Sequence, residues 1–422
     1  MAAQSDTWSE YMSEYISRRY TDKLDNRIID ITYEDIKALL HENEKDAKEC
    51  EAVTRDSYAG KNFYSDNPSN LRFEFYKEVL YRDPKTSGFI MQYPHGVVIR
   101  QAERNNYYRG ENQIFSKSVP SLIRTLNQYN REIDKELYKL VADMRIAEFG
   151  MFLFEFDFVK NWATRYSDVL FEALAQHYGL ETNWLDITND FNVALFFATC
   201  YYDGEEKSWK PLTKEMTEKT EGTKYGMIFH IPQWQVSTQS MFNNAGQHSS
   251  NEDAKNLIND VLPIGFQPFM RCHMQHGYGI KMTDEFPLQE DSTFEKLRFR
   301  HSEKLSKEIY ERMDQGRLIY PHEGLIDLMD IIETIKESST FTEDAFDYAF
   351  DKSTYFTDKT KCKKLLAESI IFEDKKIIIG NSHPFHLSRQ RRRRLDRMYK
   401  DFSIEKEYGI KLTTRPSGEL IP

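Results

Sequence analysis

The sequence predicts an α+β fold, a central domain of strands and helices flanked by two accessory regions. Three observations carry the prediction. Strand-like runs recur at "GVVIRQ", "NNYYRGENQ", "YGMIFHI" and "PFMRCHMQHGYGIKM". Around them, apolar residues return at three- and four-residue intervals, as in "NREIDKELYKLVADMRIAEF", the spacing of one helix face. Beyond residue 336 the pattern changes to an acidic helix, a short strand and a basic helix. The resulting division is 1–84 for a helical N-terminal region, 85–335 for the central domain and 336–422 for a C-terminal accessory region that holds the basic helix.

Composition sets the outer limits. A chain of 422 residues, 40% hydrophobic and 14% aromatic, can build a sizeable core and does not read as disordered. Lys plus Arg number 57 and Asp plus Glu 68, so the net charge is 57 − 68 = −11. That argues against a general nucleic-acid coat and leaves room for a local basic patch. Cys50, Cys200, Cys272 and Cys362 have neither metal-like nor disulfide-like spacing, which fits a reducing cytosol. The opening "MAAQSDTWSEYMSEY" has no basic or apolar leader segment, and no apolar run approaches about 18 residues. The expectation is a soluble cytoplasmic protein.

The elements follow in order. From Ser9 to Glu51 charged and apolar residues interleave at helical spacing; Ile36, Leu39 and Leu40 share a face, and Thr32 with Asp35 approximates a capping box. Residues 56–72 collect Ser, Asn, Gly, Asp and Pro and read as loop. "GVVIRQ" and "NNYYRGENQ" read as strands, the glycine of the second marking a break or a close backbone approach. "VPSLIRTL" and residues 129–175 read as helical. A strand ending at Ile187 or Thr188 then turns into a helix starting near Phe191, with Thr188 or Asn189 as its cap. Residues 203–224, rich in Lys, Glu, Thr and Gly, read as a solvated insertion before the buried strand "YGMIFHI". "PFMRCHMQHGYGIKM" reads as a strand pair or hairpin, and "FEKLRFRHSEKLSKEIYERMDQG" as an amphipathic helix stopped by Gly316. "GLIDLMDIIETIKE" closes the central domain as a helix. "STFTEDAFDYAFDKS" reads as an acidic helix, "KKIIIGNSHPFHL" as a strand and "SRQRRRRLDRMYKDF" as a basic helix.

Three stretches carry candidate chemistry. The corner in "LDITNDFNVALFFA" leaves helix N–H groups for an anion, or is a buried structural corner in which Asp186 pins a neighbouring loop. In "YYRGENQ" the Arg109 guanidinium can reach into a cleft while the backbone at Gly110 approaches a planar ligand; alternatively it is an ordinary surface arginine. In "RCHMQHGYGIKM", His273 and His276 fall on opposite faces of a strand, which disfavours a metal pair. The Gln275 amide there can donate to and accept from a sugar hydroxyl, or satisfy backbone groups in a hairpin.

Taken in order, "YYRGENQ", "VPSLIR", "QHYGLETNWLDITNDFNVALFFA", "RCHMQHGYGI" and "MDQGRLIYPHEGLIDLMDII" resemble the FRG domain, named for its (F/Y)RG signature, over about residues 88–335. The sequence departs from that pattern at "LETNWLDIT", where the family reads more like "TRLLDWT". A fainter similarity links the same order of motifs to the Arg, Ser/Thr and Glu motifs of ADP-ribosyltransferases. That similarity implies a central mixed sheet and a catalytic domain over 85–335, with NAD as substrate and no metal. Arg109 would clamp the NAD phosphates, Gly110 would meet the nicotinamide, Thr188 would brace the cleft and Gln275 would stand near the ribose. His177 and Tyr178 would stack on or bond to the ligand. Gln275 carries no charge, so the negative group that favours an oxocarbenium-like transition state would come from Asp186, Glu111 or Glu285.

Six arginines, at 389, 391–394 and 397, make the last helix basic nearly all round. Either Arg391, Arg392, Arg393 and Arg394 bind nucleic-acid phosphates, or the helix pairs with acidic regions of the chain or a partner. His383 and His386 are too isolated for a metal site. The expectation is an NAD-dependent mono-ADP-ribosyltransferase acting on a macromolecule, RNA or DNA foremost, as a toxin or antiviral effector with a neutralising protein partner. Its rival is a non-enzymatic ligand-sensing or protein-binding regulatory module. A nuclease or other hydrolase is disfavoured by the lack of clustered carboxylates and of a nucleophile elbow.

Overall fold

A computed structural model describes residues 27–58, 62–65, 90–93, 96–99, 106–165, 169–232, 261–264, 267–282, 287–291, 294–320, 324–372, 375–399 and 411–414. Its strands are β1 (Ile28–Asp30), β2 (Asn62–Ser65), β3 (Ile90–Tyr93), β4 (Gly96–Ile99), β5 (Asn106–Glu111), β6 (Trp184–Thr188), β7 (Cys200–Asp203), β8 (Ser208–Pro211), β9 (Tyr225–Pro232), β10 (Val261–Pro263), β11 (Gly277–Lys281), β12 (Glu295–Arg300), β13 (Thr340–Thr342), β14 (Ile378–Gly380) and β15 (Lys411–Thr414). Among the described residues, seven of them form the main sheet in the order β1-β12-β9-β5-β6-β11-β10. β1 runs parallel to β12 and every other neighbouring pair is antiparallel. The fold is α+β with a mixed sheet. β1, from the N-terminal region, is one of its edges.

Alternation explains why the sheet is covered on both faces. Tyr107, Met227, Phe229 and Ile231 pack into one core with Leu185, Ile187, Tyr278 and Ile280. Their neighbours Tyr108 and Ile228 enter the opposite core with Leu297 and Phe299. Each such side chain contributes roughly 1.5–3 kcal/mol on burial. The second core is closed by α1 (Tyr33–Tyr58), α6 (Phe191–Thr199) and α9 (Glu303–Arg312). α1 starts where expected: the Thr32 N–H donates to Asp35 Oδ2 at 2.7 Å and the Asp35 N–H returns to Thr32 Oγ1 at 3.2 Å.

The remaining helices are α2 (Ser121–Leu126), α3 (Glu132–Leu153), α4 (Asp157–Arg165), α5 (Phe171–His177), α7 (Lys214–Thr217), α8 (Met270–Met274), α10 (Met329–Lys336), α11 (Glu343–Lys352), α12 (Lys359–Glu368) and α13 (Arg389–Met398). α3 is apolar on two sides. Phe149, Phe152 and Leu153 face a core shared with α4, α5, α8, α10 and α13. Leu137, Leu140, Val141 and Met144 face another, shared with α11, α12 and β14.

Several segments differ from expectation. Ile28–Asp30 is a strand inside the stretch read as helical. Residues 270–274 form α8 and not a strand: the Gln275 N–H closes a helical turn onto the Arg271 carbonyl at 3.0 Å, and His276 turns the chain at φ 47° into β11. His273 therefore belongs to a helix and His276 to a turn. The segment 294–316 is strand before it is helix, because β12 pairs with β9 from Glu295 to Arg300 and Ser302 Oγ then caps α9 by accepting from the Leu305 N–H. Within 203–224, β8 pairs back onto β7, and Trp209 packs against Phe196 and Phe197. Of the stretch read as loop, 56–72, residues 56–58 end α1 and 62–65 form β2, which pairs with β15; residues 59–61 and 66–72 lie outside the described residues.

Candidate functional site

The main sheet forks beside "YRG". β5 and β6 meet at one ladder pair, Tyr108 with Thr188. Continued antiparallel pairing would set Gly110 opposite Asp186. The strands part instead, and the Asp186 carbonyl accepts from Arg109 Nη1 at 2.8 Å. A side chain thus supplies the donor that the neighbouring strand withholds. Arg109 Nε donates to Glu111 Oε1 at 2.9 Å, and Ser118 Oγ donates to Glu111 Oε2 at 2.6 Å. Among the described residues, these bonds leave Nη2 as the unengaged nitrogen of Arg109.

The glycine of the motif has a steric cause. A Cβ at Gly110 would lie 1.7 Å from the Ala194 carbonyl oxygen, so α6 crosses β5 only because residue 110 has no side chain. The expected close backbone approach is real, and α6 is the partner.

Between the limbs of the fork lies a cleft of about 530 Å³. Arg109, Gly110, His177, Asp186, Thr188 and Gln275 all line it. Thr188 is a brace in the literal sense: Oγ1 donates to the Gln275 carbonyl at 2.8 Å and accepts from the Asp190 N–H at 3.1 Å. Gln275 is buried, and its Nε2 donates to the Ile319 carbonyl at 3.1 Å. Burial first, then the charge of Asp186, pushes the neighbouring Tyr320 phenol up to about 12 against the opposing pulls of Arg271 and the Gln275 amide. Gln275 is therefore largely spent on the chain itself. Of the acids considered for the missing charge, Glu111 is buried in its pairing with Arg109 and Ser118. Glu285 lies outside the described residues. Asp186 remains on the cleft wall with its side chain 33% exposed.

His177 ends α5, and Gly179 at φ 84° reverses the chain so that the Leu180 N–H reaches the Ala175 carbonyl. Arg271 Nη1 donates to the His177 carbonyl at 2.8 Å and holds that turn. The imidazole Nε2 stands 3.6 Å from Asp186 Oδ1. Both atoms are buried and neither has a hydrogen-bond partner; the same holds for Trp209 Nε1, also on the cleft wall. An unmet buried polar atom costs about 1–3 kcal/mol. Three such atoms lie together behind the wall of this hollow, each without a partner in the chain.

Tyr178 does not line the cleft. It is buried against Phe149 and Phe269, with the Arg271 guanidinium 4.6 Å from its ring. A large apolar ring one residue beyond the end of α5 faces the core, so the expected ligand contact is corrected to a packing contact. The start of α6 is corrected too. Its cap is Asp190, which accepts from the Asn192 N–H at 2.8 Å, while the Phe191 N–H donates to Asn43 Oδ1 at 2.9 Å. The end expected to welcome an anion carries the chain's own carboxylate.

Sequence reasoning missed the aromatic wall of the cleft: Phe197, Tyr201, Tyr202, Trp209 and Tyr320. Trp209 touches Tyr320 and Phe197 with ring centroids 5.2 and 5.6 Å away. The available signal was the clustering of aromatics around a turn in "CYYDGEEKSW", where Tyr202 stands opposite Trp209 on the β7–β8 ladder.

The basic helix lies elsewhere. Arg391 pairs with Asp330 at 2.6 Å, Arg394 with Asp327 at 3.2 Å, and Arg392 with Glu155 and Asp157 at 3.5 and 3.8 Å. Buried Leu395 packs against Gly324, and Tyr399 stacks on Phe158 at 4.2 Å. Arg391, Arg392 and Arg394 thus face the chain's own acids, the docking alternative; among the four, Arg393 has no carboxylate partner within the described residues. His383 Nδ1 is paired with the fully buried Glu148 at 2.7 Å. Among the described residues no group of three or more His, Cys, Asp or Glu could hold a metal, and no helix is long and apolar enough to cross a membrane.

Residues 104–207 match the family model of the FRG domain. The chain carries this domain, and the match includes both limbs of the fork, α6 and β7; Gln275 and Tyr320 fall beyond it. No curated protein and no solved structure matches the chain.

Proposed function

We propose that the cleft binds NAD and transfers its ADP-ribose to a macromolecule. The observation that carries this is convergence: residues far apart in sequence, Arg109, Gly110, Asp186, Thr188 and Gln275, line one hollow. Its aromatic wall suits flat rings, and Arg109 Nη2 is available to a diphosphate.

In the reaction the glycosidic C–N bond breaks and its electron pair passes to the nicotinamide nitrogen. Positive charge develops on the ribosyl carbon. A carboxylate about 4 Å away at an effective dielectric near 20 stabilises such a charge by roughly 4 kcal/mol. Asp186 fits that task because its Oδ1 accepts no hydrogen bond and its side chain is partly open to the cleft. Gln275 and Thr188 hold the shape of the wall, and Arg109 fixes the Asp186 backbone while gripping phosphate. A role as a toxin or antiviral effector, with RNA or DNA among the acceptors and a neutralising protein partner, belongs to the same proposal.

The test is incubation of the purified full-length protein with radiolabelled NAD and RNA, DNA or total protein. Label transfer and nicotinamide release are expected, both slowed about 10²-fold or more in Asp186→Asn. No transfer and no NAD turnover under any condition would refute the reaction.

One observation favours a second reading, a non-enzymatic ligand-sensing or protein-binding regulatory module. Gln275, at the position where the transferase pattern has an acid, is buried and engaged with the Ile319 carbonyl. NAD binding without nicotinamide release would select it.

A further inference from the structure

Asp186 has two unlike oxygens. Oδ1 is shut away from solvent while the side chain as a whole is 33% exposed, so the open oxygen is Oδ2. Behind Oδ1 stands the His177 imidazole, its side chain 4% exposed and its Nε2 3.6 Å away. That separation lies just outside hydrogen-bond range, and neither atom has another partner. The backbones that carry the pair are both held by guanidinium groups: Arg109 on the Asp186 carbonyl and Arg271 on the His177 carbonyl, each at 2.8 Å. Arg271 is itself lodged between the Tyr178 and Tyr320 rings, at 4.6 and 5.0 Å. Two polar atoms kept this close on fixed backbones need only a small side-chain movement to meet.

We infer that His177 is a positioning residue for Asp186: when ligand closes the cleft, Nε2–H donates to Oδ1 and aims Oδ2 at the ribosyl carbon. The inference rests on the transfer reaction proposed above. In that step the glycosidic C–N bond breaks toward the nicotinamide nitrogen and the acceptor oxygen or nitrogen bonds to the ribosyl carbon. The acceptor's proton passes to Asp186 Oδ2. His177 touches neither ligand nor acceptor; its hydrogen bond fixes the carboxylate that does.

The experiment follows nicotinamide release from NAD by the full-length protein, with water as acceptor, together with NAD affinity and melting temperature. Asp186→Asn should lower kcat about 10²-fold or more with KM little changed. His177→Phe, which removes the donor, should lower kcat roughly 10-fold or more at similar KM. His177→Gln, whose amide nitrogen reproduces Nε2, should restore kcat to within about threefold. In the Asp186→Asn background His177→Phe should cost nothing further, because the two act as one unit. Should the Phe variant fail to fold, the Gln variant and its combination with Asp186→Asn decide. A Gln variant as impaired as Phe at an unchanged melting temperature, or additive losses in the double variant, would overturn the positioning role while leaving the transfer reaction standing. A wild-type protein that neither binds NAD nor releases nicotinamide would overturn both.

Discussion

Gly110→Ala is the sharpest test of how the cleft is built. The added carbon would sit 1.7 Å from the Ala194 carbonyl oxygen, where real contacts of this kind do not fall below 3.0 Å. The obstacle is helix backbone, so α6 and β5 must separate by at least 3.0 − 1.7 = 1.3 Å. Overpacking of this kind costs about 1–3 kcal/mol, and a backbone obstacle places the change at the upper end. At roughly 2–4 °C per kcal/mol for a domain of this size, the melting temperature should fall by about 5–10 °C. Val193, Ala194 and Phe197 on α6 form part of the cleft wall, so NAD affinity should fall as well. Differential scanning calorimetry on the full-length protein reads the first effect and isothermal titration the second. A melting temperature within about 1 °C of wild type would refute the steric reasoning and return Gly110 to a purely ligand-facing role.

Gln275→Glu would set a carboxylate against the Ile319 carbonyl in place of a donor; it should destabilise the protein by about 2 kcal/mol in urea unfolding and leave nicotinamide release no faster. Lys352→Met would leave the Asp143 and Glu172 carboxylates without their shared lysine, at a cost of about 3 kcal/mol by the same measurement. Burial raises the Glu172 carboxyl, but the charges of Lys352 and Lys281 outweigh it and hold it at about 2, below its ordinary value of 4.5. Its contribution, about 3 kcal/mol, is therefore complete above roughly pH 4.5 and is lost as pH falls toward 2. Asp143, which burial pushes up against the pull of Lys352, acts in the opposite sense. An acid unfolding curve unchanged by Glu172→Gln would contradict this assignment. Leu395→Ala should cost about 2–4 kcal/mol by emptying the seat of α13 over Gly324, whereas Arg393→Ala should leave the melting temperature within about 1 °C.

Local signals explain what could be read in the sequence. The strand and helix around Asp186 were legible because an apolar run, a polar turn and a second apolar run follow one another without interruption from Trp184 to Thr199. Thr32 and Asp35 were legible as a cap because both bonds span three residues. What was hidden depends on partners distant in sequence. The N–H that Phe191 would offer an anion is taken by Asn43, 148 residues earlier. The acids opposite the basic helix lie 61 residues or more before it, at Asp330 and Glu155. α8 has only five residues and β12 six, too few for periodicity to separate a helix from a strand. At the site, Arg109, Gly110, Thr188 and Asp186 stood out by motif order. His177 and the aromatic wall acquire meaning only once α5, the β7–β8 hairpin and the fork are brought together.

A sheet joined at its middle by a single ladder contact behaves as two plates along a seam. One plate is β1, β12, β9 and β5; the other is β6, β11 and β10. α6 springs from the second plate and crosses the first at Gly110, and the bond from Arg109 to the Asp186 carbonyl ties the two plates across the seam. Amide exchange along the seam, at Arg109 and Gly110 on one plate and Asp186 and Ile187 on the other, should slow together when a ligand spans both.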